Sequence, residues 1–167
     1  MQPEDLMEIR AIETLKYRYL RCLDLKEWDE LRAVFTEDAT ATYAGGNLAF
    51  EGRDAILEFL TTSLAVQLTS HKCHHPEIEL IGLDRATGTW ALDDLVIDPD
   101  AGYTLRGAAY YHDRYRKVDD HWLIEHTGYK RVYEELEMRR PPGEGGPRVT
   151  AHWWRTEGRS KLGVPRS

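Results

Sequence analysis

The sequence predicts an α+β fold in which a curved, mostly antiparallel sheet wraps around N-terminal helices and encloses a cone-shaped internal pocket. Two observations predict it. Apolar residues recur at helical spacing in the first part of the chain, whereas long β-like runs fill residues 69–135. The connections between those runs are only a few residues long, which restricts neighbouring strands to antiparallel pairing. Helices followed by such a meander are typical of helices packed on one face of a sheet.

Three helices are predicted in the first part of the chain. The first covers residues 3–25: a proline stands at its first position, two acidic residues follow, and leucine and isoleucine recur at helical spacing. A second, short helix is predicted at residues 28–35 and a short strand at residues 39–43, followed by a turn at the glycines 45–46. The third helix opens at Gly52.

Four long strands are predicted in the second part of the chain. Within them apolar and polar side chains tend to alternate, as they do in a strand with one buried face. Short connections rich in aspartate and glycine separate the runs. The predicted strands are residues 69–81, 84–97, 102–118 and 121–135.

Length and charge narrow the class of protein. A chain of 167 residues with 41% hydrophobic residues fits one domain with a substantial core. The formal net charge of -7 argues against a nucleic-acid partner, which needs a basic surface. No apolar run reaches the roughly 18 residues of a membrane span, and the first ten residues show no signal-peptide pattern. With only two cysteines, Cys22 and Cys73, we expect a reduced, cytoplasmic protein.

A change in composition divides the chain near residue 136. Residues 1–136 form the predicted cone domain. Residues 137–167 hold seven basic and three acidic residues together with proline–glycine breaks, so we predict an extension that is partly disordered or docks on the body or on a partner subunit. The pair Trp153 and Trp154 is unusual in a free tail, because indole rings prefer burial. The pair either docks or is a remnant of a divergent terminus.

Two aspartates stand where the pattern predicts apolar surroundings. In the strand at 84–97, Asp94 shares a face with Trp90 and two aliphatic residues. Asp24 lies about 20° around the first helix from Tyr17 and continues a partly apolar face. A carboxylate in such a place is costly unless it is paired or serves a pocket, so both are candidate site residues. For Asp94 the alternatives are a slip or bulge that puts it outside, or a structural pair with arginine. For Asp24 the alternative is that it ends the helix and caps the next one.

The segment Ser70–Pro76 contains three histidines. On a regular strand, His71 and His75 share a face with Cys73, and His74 points away. Because imidazole titrates near neutral pH, one inward histidine is predicted to act as an acid or base. A zinc site of His71, His75 and an aspartate is the alternative. The sequence has neither an HExxH motif nor paired cysteines, so we expect no metal and no cofactor.

The order and spacing of these segments resemble a known family. Over residues 4–135 the chain is similar to the SnoaL-like branch of the nuclear-transport-factor-2-like superfamily. The motifs that carry the resemblance include Tyr19-x4-Asp24, Phe35-Thr36-Glu37-Asp38-Ala39, Phe50-Glu51-Gly52-Arg53-Asp54, His71-x2-His74-x-Pro76, Trp90-Ala91-x2-Asp94 and Tyr111-x-Asp113-x-Tyr115. The resemblance implies a helix-lined, cystatin-like cone.

Enzymes of this family resemble one another in using an aspartate on the first helix with a histidine on a sheet strand. The chain is most similar to the bile acid 7α-dehydratase pattern, in which a tyrosine and an aspartate five residues apart precede a histidine and a second aspartate. The resulting predicted catalytic residues are Tyr19, Asp24, His71 and Asp94, and the predicted substrate-binding residues are Tyr17, Tyr43, Trp90 and Arg131. On an ideal helix Tyr19 and Asp24 are about 140° apart, so whether Tyr17 or Tyr19 faces the pocket stays open.

The resemblance implies a cofactor-independent acid/base lyase. It would carry out a dehydratase-type elimination on a hydrophobic, ring-bearing hydroxy or keto substrate such as a steroid or polyketide. An isomerase or cyclase would use the same pair, and a non-catalytic small-molecule binding module would need the pocket alone. An epoxide hydrolase of this fold is a further alternative, although the sequence shows no clear Asp–Arg–Asp arrangement. We expect the chain to bind a hydrophobic small molecule and to form a homodimer or homotrimer, because the outer face of such a sheet is exposed.

Overall fold

Helices pack against one face of a six-stranded, curved and unclosed sheet. The computed structural model describes residues 2–160 and residue 162. The helices are α1 (Pro3–Leu25), α2 (Trp28–Arg32), α3 (Arg53–Ser63) and α4 (Trp153–Thr156), and the strands are β1 (Phe35–Tyr43), β2 (Leu48–Glu51), β3 (Leu68–Ile81), β4 (Arg85–Asp98), β5 (Tyr103–Val118) and β6 (His121–Met138). Within the described residues no helix is both long and apolar enough to cross a membrane.

Helix α1 begins and ends at residues suited to those positions. At its start, the Asp5 carboxylate accepts a hydrogen bond from the backbone N–H of Gln2 at 2.7 Å. At its end, Lys26 adopts a left-handed conformation with φ 59°, and its N–H bonds to carbonyls of the last turn. Because the helix ends here, Asp24 lies in its last turn. Helix α1 packs against β3.

One stripe of α1 forms the helical side of the core. Its members recur every three or four residues, as expected for an amphipathic helix. They are Ile12, Leu15, Lys16, Tyr19, Leu20, Cys22 and Leu23. Alternate residues of β4 and β5 are buried on the sheet side. Lys16 is the one charged residue of the stripe.

The strand order in the sheet is β2-β1-β6-β5-β4-β3. Strands β3 to β6 form the predicted antiparallel meander. Strand β1 pairs antiparallel with β2 and parallel with β6, with Ala41 opposite Thr127. The predicted fold class, N-terminal helices on a curved and mostly antiparallel sheet, is confirmed.

Some element boundaries differ from the prediction because pairing overrides local pattern. Helix α2 ends at Arg32 instead of Phe35, since Phe35 pairs with Ile124 of β6 and starts β1. Strand β2 was not predicted; it is only four residues long and is held by β1. Strand β6 continues past residue 136, where its final residue Met138 pairs with Tyr103.

An irregularity in β3 changes which histidines share a face. The register with β4 shifts between His74 and Glu77, and His75 has a φ of 45°. His71 and Cys73 remain partly buried, whereas His74 and His75 are exposed. The prediction that His71 and His75 share a face was wrong, because the irregularity interrupts the alternation of the strand.

The C-terminal segment contacts the end of α1. The indole N–H of Trp154 donates to the Leu25 carbonyl at 3.3 Å, and the Lys26 ammonium lies 5.3 Å from the centroid of a ring of the same tryptophan. These contacts support our proposal that the segment docks on the body of its own chain. The prediction of partial disorder also covers residue 161 and residues 163–167, which lie outside the described residues.

Candidate active site

A cavity of about 240 Å³ lies between the sheet and helices α1 and α3. Its wall is mostly apolar, with aliphatic residues and aromatic contributions from Tyr19, Tyr43, Phe59, Tyr103, Tyr111 and Tyr129. The charged or amide side chains of the wall are Gln67, His71, Asp94, Arg131 and Glu134. An apolar cavity with a few convergent polar groups is the usual form of a small-molecule site.

Asp24 holds His71 at two points. Its Oδ1 accepts a hydrogen bond from His71 Nδ1 at 2.7 Å, and its Oδ2 accepts one from the His71 backbone N–H at 2.8 Å. The hydroxyl of Thr69 also donates to Oδ1, at 2.8 Å. Because an ionised carboxylate only accepts hydrogen bonds, Nδ1 carries the ring proton and Nε2 is left as a base. The structure therefore brings together two predicted residues that are 47 positions apart in the chain.

The contacts of Asp24 also determine its charge. Burial raises the pKa of this carboxyl, but hydrogen bonds from His71 and Thr69 and the charge of His71 outweigh burial and lower the pKa overall. An ionised Asp24 fixes the orientation of the imidazole and stabilises its protonated form. Asp24 does not itself line the cavity, so it acts on a ligand only through His71.

Tyr19 faces the cavity and Tyr17 does not. Tyr19 is 1% exposed and its ring packs edge-on against Tyr111, whereas Tyr17 is 43% exposed. The wide angle between Tyr19 and Asp24 around the helix is compatible with both belonging to the site, because their side chains contact different parts of it. Tyr19 forms part of the wall, while Asp24 reaches His71 from the last turn of α1.

Three tyrosine hydroxyls are available as donors inside the protein. Burial raises the pKa of Tyr19, Tyr43 and Tyr111 well above the usual value, so all three stay un-ionised at neutral pH. The Tyr43 hydroxyl is buried and has no hydrogen-bond partner in the described part of the chain. A buried, unpaired donor in a cavity wall is suited to an oxygen atom of a ligand.

Asp94 and Arg131 form an ion pair in the cavity wall. Arg131 Nη1 and Nη2 donate to the two oxygens of Asp94 at 2.5 and 2.9 Å. On the other side, Arg131 Nε lies 3.0 Å from Oε2 of Glu134. Burial lowers the pKa of the guanidinium, but its hydrogen bonds with Asp94 and the charge of Asp94 raise the pKa overall. The structure thus contains an arginine between two carboxylates, an arrangement that the sequence did not show.

Two predicted substrate-binding residues lie away from the cavity. Trp90 is fully buried in the core, where its indole N–H donates to the Tyr115 hydroxyl at 2.9 Å. Tyr17 packs edge-on against Trp90, with ring centroids 6.2 Å apart. Neither residue lines the cavity, because β4 reaches the wall only with the alternate residues from Leu92 to Val96.

A charged network lies in the core beside the tyrosines of the wall. Lys16 Nζ is 2.7 Å from Asp113 Oδ2, and both side chains are fully buried. The hydroxyls of Tyr115 and Thr127 each donate to Asp113 at 2.8 Å. The Lys16 ammonium also lies 3.4 Å from the ring centroid of Tyr111. The network therefore joins α1 to β5 and β6 next to the cavity wall.

Three polar residues in or beside the site were not predicted. Lys16 could have been noticed, because it interrupts the apolar stripe of α1. Gln67, which donates to Tyr103 at 3.0 Å, lies just before β3 and belongs to no pattern. Glu134 could not have been found by alternation, because a register shift precedes it in β6.

A known domain family matches most of this chain. The profile of the SnoaL-like domain matches residues 4–128, which is most of the chain. The chain belongs to the SnoaL-like domain family. The predicted family is therefore confirmed, and the match covers every element from α1 to the middle of β6.

Solved structures share the fold of this SnoaL-like domain. A scytalone dehydratase candidate from Novosphingobium aromaticivorans DSM 12444 is 25% identical with a TM-score of 0.76, over 84% of this chain and 94% of that chain. A protein of unknown function from Mycobacterium tuberculosis is 26% identical with a TM-score of 0.68, over 78% and 76%. Hexachlorocyclohexane dehydrochlorinase LinA-type3 from Novosphingobium barchaimii LL02 is 19% identical with a TM-score of 0.72, over 83% and 97%. At that identity the likeness to LinA shows the fold alone.

Proposed function

We propose that this SnoaL-like domain is a cofactor-independent acid/base lyase that eliminates water from a hydrophobic, ring-bearing hydroxy ketone. The observation that carries the proposal is the 2.7 Å hydrogen bond between Asp24 and His71, because it provides an oriented base in the wall of an aromatic cavity. The name of one neighbour agrees with it, since the scytalone dehydratase candidate at 25% identity is named for an elimination of water.

In the proposed mechanism, Nε2 of His71 removes a proton from the carbon next to the ligand carbonyl. The carbonyl oxygen gains negative charge and accepts a hydrogen bond from the un-ionised Tyr19, with Tyr43 as a second donor. The enolate re-forms its carbonyl, a carbon–carbon double bond forms and the carbon–oxygen bond to the hydroxyl breaks. The imidazolium returns its proton to that hydroxyl, which leaves as water. Asp24 stays ionised throughout and stabilises the imidazolium.

Asp94 takes a different part in this proposal from the one that the sequence predicts. Both oxygens of Asp94 already accept hydrogen bonds from Arg131, so the carboxyl group is engaged with the guanidinium and not directed at a departing oxygen. We therefore assign proton donation to His71 and hydrogen bonding to the tyrosines, and we give Asp94 the task of holding Arg131.

Substitution of His71 tests the proposal. Ring-bearing β-hydroxy ketones are incubated with the protein, and the product is followed by its enone absorbance and by mass. His71→Ala is expected to lower the rate by at least about 10²-fold while ligand affinity is kept, because a positioned base supplies that much. The matched control is His74→Ala. It removes an exposed histidine of the same strand as His71, and His74 is paired with Asp93 of the neighbouring strand β4. Unchanged turnover in His71→Ala would remove His71 from the mechanism.

The same assay separates the alternatives. Elimination lowers the mass by one water, whereas an isomerase or cyclase that uses the same pair leaves the mass unchanged. A binding module gives no turnover of any compound, and its ligand affinity survives both Asp24→Asn and His71→Ala.

One further candidate function is favoured by a specific contact. Arg131 lies between Asp94 and Glu134, and a guanidinium between two carboxylates can hold a base and an acid on either side of a small ring. One carboxylate would take a proton from water as the water attacks an epoxide carbon, and the other, protonated, would donate to the ring oxygen as the carbon–oxygen bond breaks. The diol product gains the mass of one water, which is the opposite of dehydration.

A further inference from the structure

Four residues form a row across four strands on the cavity side of the sheet. His71 of β3 is opposite Asp94 of β4, Asp94 is opposite Gly107 of β5, and Gly107 is opposite Glu134 of β6. A Cβ atom on Gly107 would lie 2.5 Å from Nη1 of Arg131 and 3.1 Å from its Cζ. The guanidinium therefore occupies the space that a side chain at position 107 would fill.

A β-bulge brings Glu134 to the guanidinium. Arg131 pairs with Ala109 but Tyr133 pairs with Ala108, so Val132 is the extra residue of β6. In a regular strand, residues three apart point to opposite faces; after one extra residue they point to the same face. Arg131 and Glu134 both line the cavity for this reason.

The charges at this end of the cavity do not suit an anion. Two carboxylates flank one guanidinium, and the Arg131 Nη atoms already donate to both oxygens of Asp94. A ligand carboxylate at Arg131 would have to displace Asp94 or meet the negative charge of Glu134. The Glu134 side chain is half exposed, so solvent reduces this repulsion without removing it, whereas a neutral hydroxyl or carbonyl meets no such repulsion.

We propose that Glu134 is a specificity-determining residue that neutralises Arg131 from its free side and selects neutral ring-bearing ligands over anionic ones. This inference names the substrate class of the proposed site. It concerns binding at equilibrium, so its test needs no turnover and can fail independently of the elimination mechanism. The cavity of about 240 Å³ lies below the roughly 300–1,000 Å³ of drug-sized sites and suits one or two fused rings.

The test compares 2-naphthol with 2-naphthoate at pH 7 and low salt by calorimetry. The two probes share a ring system, and only the second is charged. Glu134→Gln is expected to raise naphthoate affinity about fivefold to tenfold, because it removes one negative charge beside a partly exposed guanidinium. Naphthol affinity should change less than twofold. Glu134→Ala removes the same charge together with most of the side chain, and it should change the two affinities in the same way.

Glu135→Gln is the matched control. It makes the same change of charge at the next residue, which is exposed and does not line the cavity. A gain of naphthoate binding in both Glu134 variants, without a matching gain in naphthol affinity or in Glu135→Gln, supports the proposal. No gain in the Glu134 variants, or an equal gain in the control, overturns it.

Discussion

Among the described residues, the most heavily buried charges belong to Lys16 and Asp113. Each side chain is fully excluded from solvent, and Asp113 accepts hydrogen bonds from two hydroxyls as well as the ion pair. A buried pair of this kind adds little net stability compared with apolar residues, but removal of one partner leaves the other charge uncompensated. Its position against the Tyr111 ring makes it part of the support of the cavity wall.

Substitution of Asp113 tests the importance of this pair. Asp113→Asn is expected to lower the free energy of unfolding by about 3–5 kcal/mol, because the Lys16 ammonium loses its counter-charge in the core. The double variant Lys16→Met with Asp113→Asn should recover at least about 1 kcal/mol of that loss, since no uncompensated charge remains. Urea unfolding followed by circular dichroism measures both. A double variant as unstable as the sum of the two single variants would contradict the prediction.

For a single residue, the sequence indicates a place in the site only when a polar side chain stands in an apolar local pattern. Asp24 and Asp94 each stand in a partly apolar periodicity, and the structure places one on His71 and the other in the wall. His75 and Glu134 lie at or after irregularities of their strands, where alternation no longer tells which face a side chain joins. Their positions depend on pairing with other strands, which the local sequence does not encode.

At the scale of the strand, Gly107 is what allows β5 to cross beneath Arg131. The glycine has an ordinary extended backbone, so its importance comes from the missing side chain and not from conformational freedom. The backbone carbonyl of Tyr133 would also lie 3.0 Å from an added Cβ. An alanine would therefore have to shift the guanidinium.

Gly107→Ala is expected to lower the free energy of unfolding by about 1–3 kcal/mol through this overcrowding. In an Arg131→Ala background the same change should cost less than half as much, because the crowded group is gone. Gly143→Ala, where an added Cβ meets nothing within 4 Å, serves as the control. Equal losses in both backgrounds, measured by urea unfolding, would show that the guanidinium is not what limits position 107.

Elements were predictable from the sequence where their pattern is local. Helix α1 and the four long strands have periodicities that extend over many residues, and their predicted limits agree with the structure to within three residues. Strand β2 and the end of α2 depend instead on β1 and on Ile124, which is far away in the chain. Short segments of this kind take their structure from their partners.

At the scale of the whole molecule, the C-terminal segment and the site meet at Lys26. Burial lowers the pKa of Lys26 to about 8, although the charge of Asp24 opposes that shift. The ammonium lies near the rings of Trp28 and Trp154, with centroids 5.7 and 5.3 Å away. The docked segment therefore contributes to the dry environment next to the Asp24–His71 pair.

Trp154→Ala is expected to raise the pKa of Lys26 toward the ordinary lysine value, because water then reaches the ammonium. Since the folded state disfavours protonated Lys26, stability should rise as the pH increases from about 8 toward about 10.5, and this rise should shrink in the variant. Titration of the Lys26 side chain by NMR measures the pKa directly. Trp153→Ala is the control, and the same Lys26 pKa in the unsubstituted protein and Trp154→Ala would refute docking on this residue.

The parallel pairing of β1 with β6 has a consequence for synthesis of the chain on the ribosome. Strand β6 lies inside the sheet, yet it is the last of the described strands to be made, and Ala41 cannot meet Thr127 until then. Helix α1 and strands β1 and β2 must leave the exit tunnel without the neighbour that completes their core. Such late, long-range closure slows folding and leaves apolar surface uncovered in the nascent chain. We therefore expect the N-terminal third of this protein to expose apolar surface on the ribosome until β6 has been made.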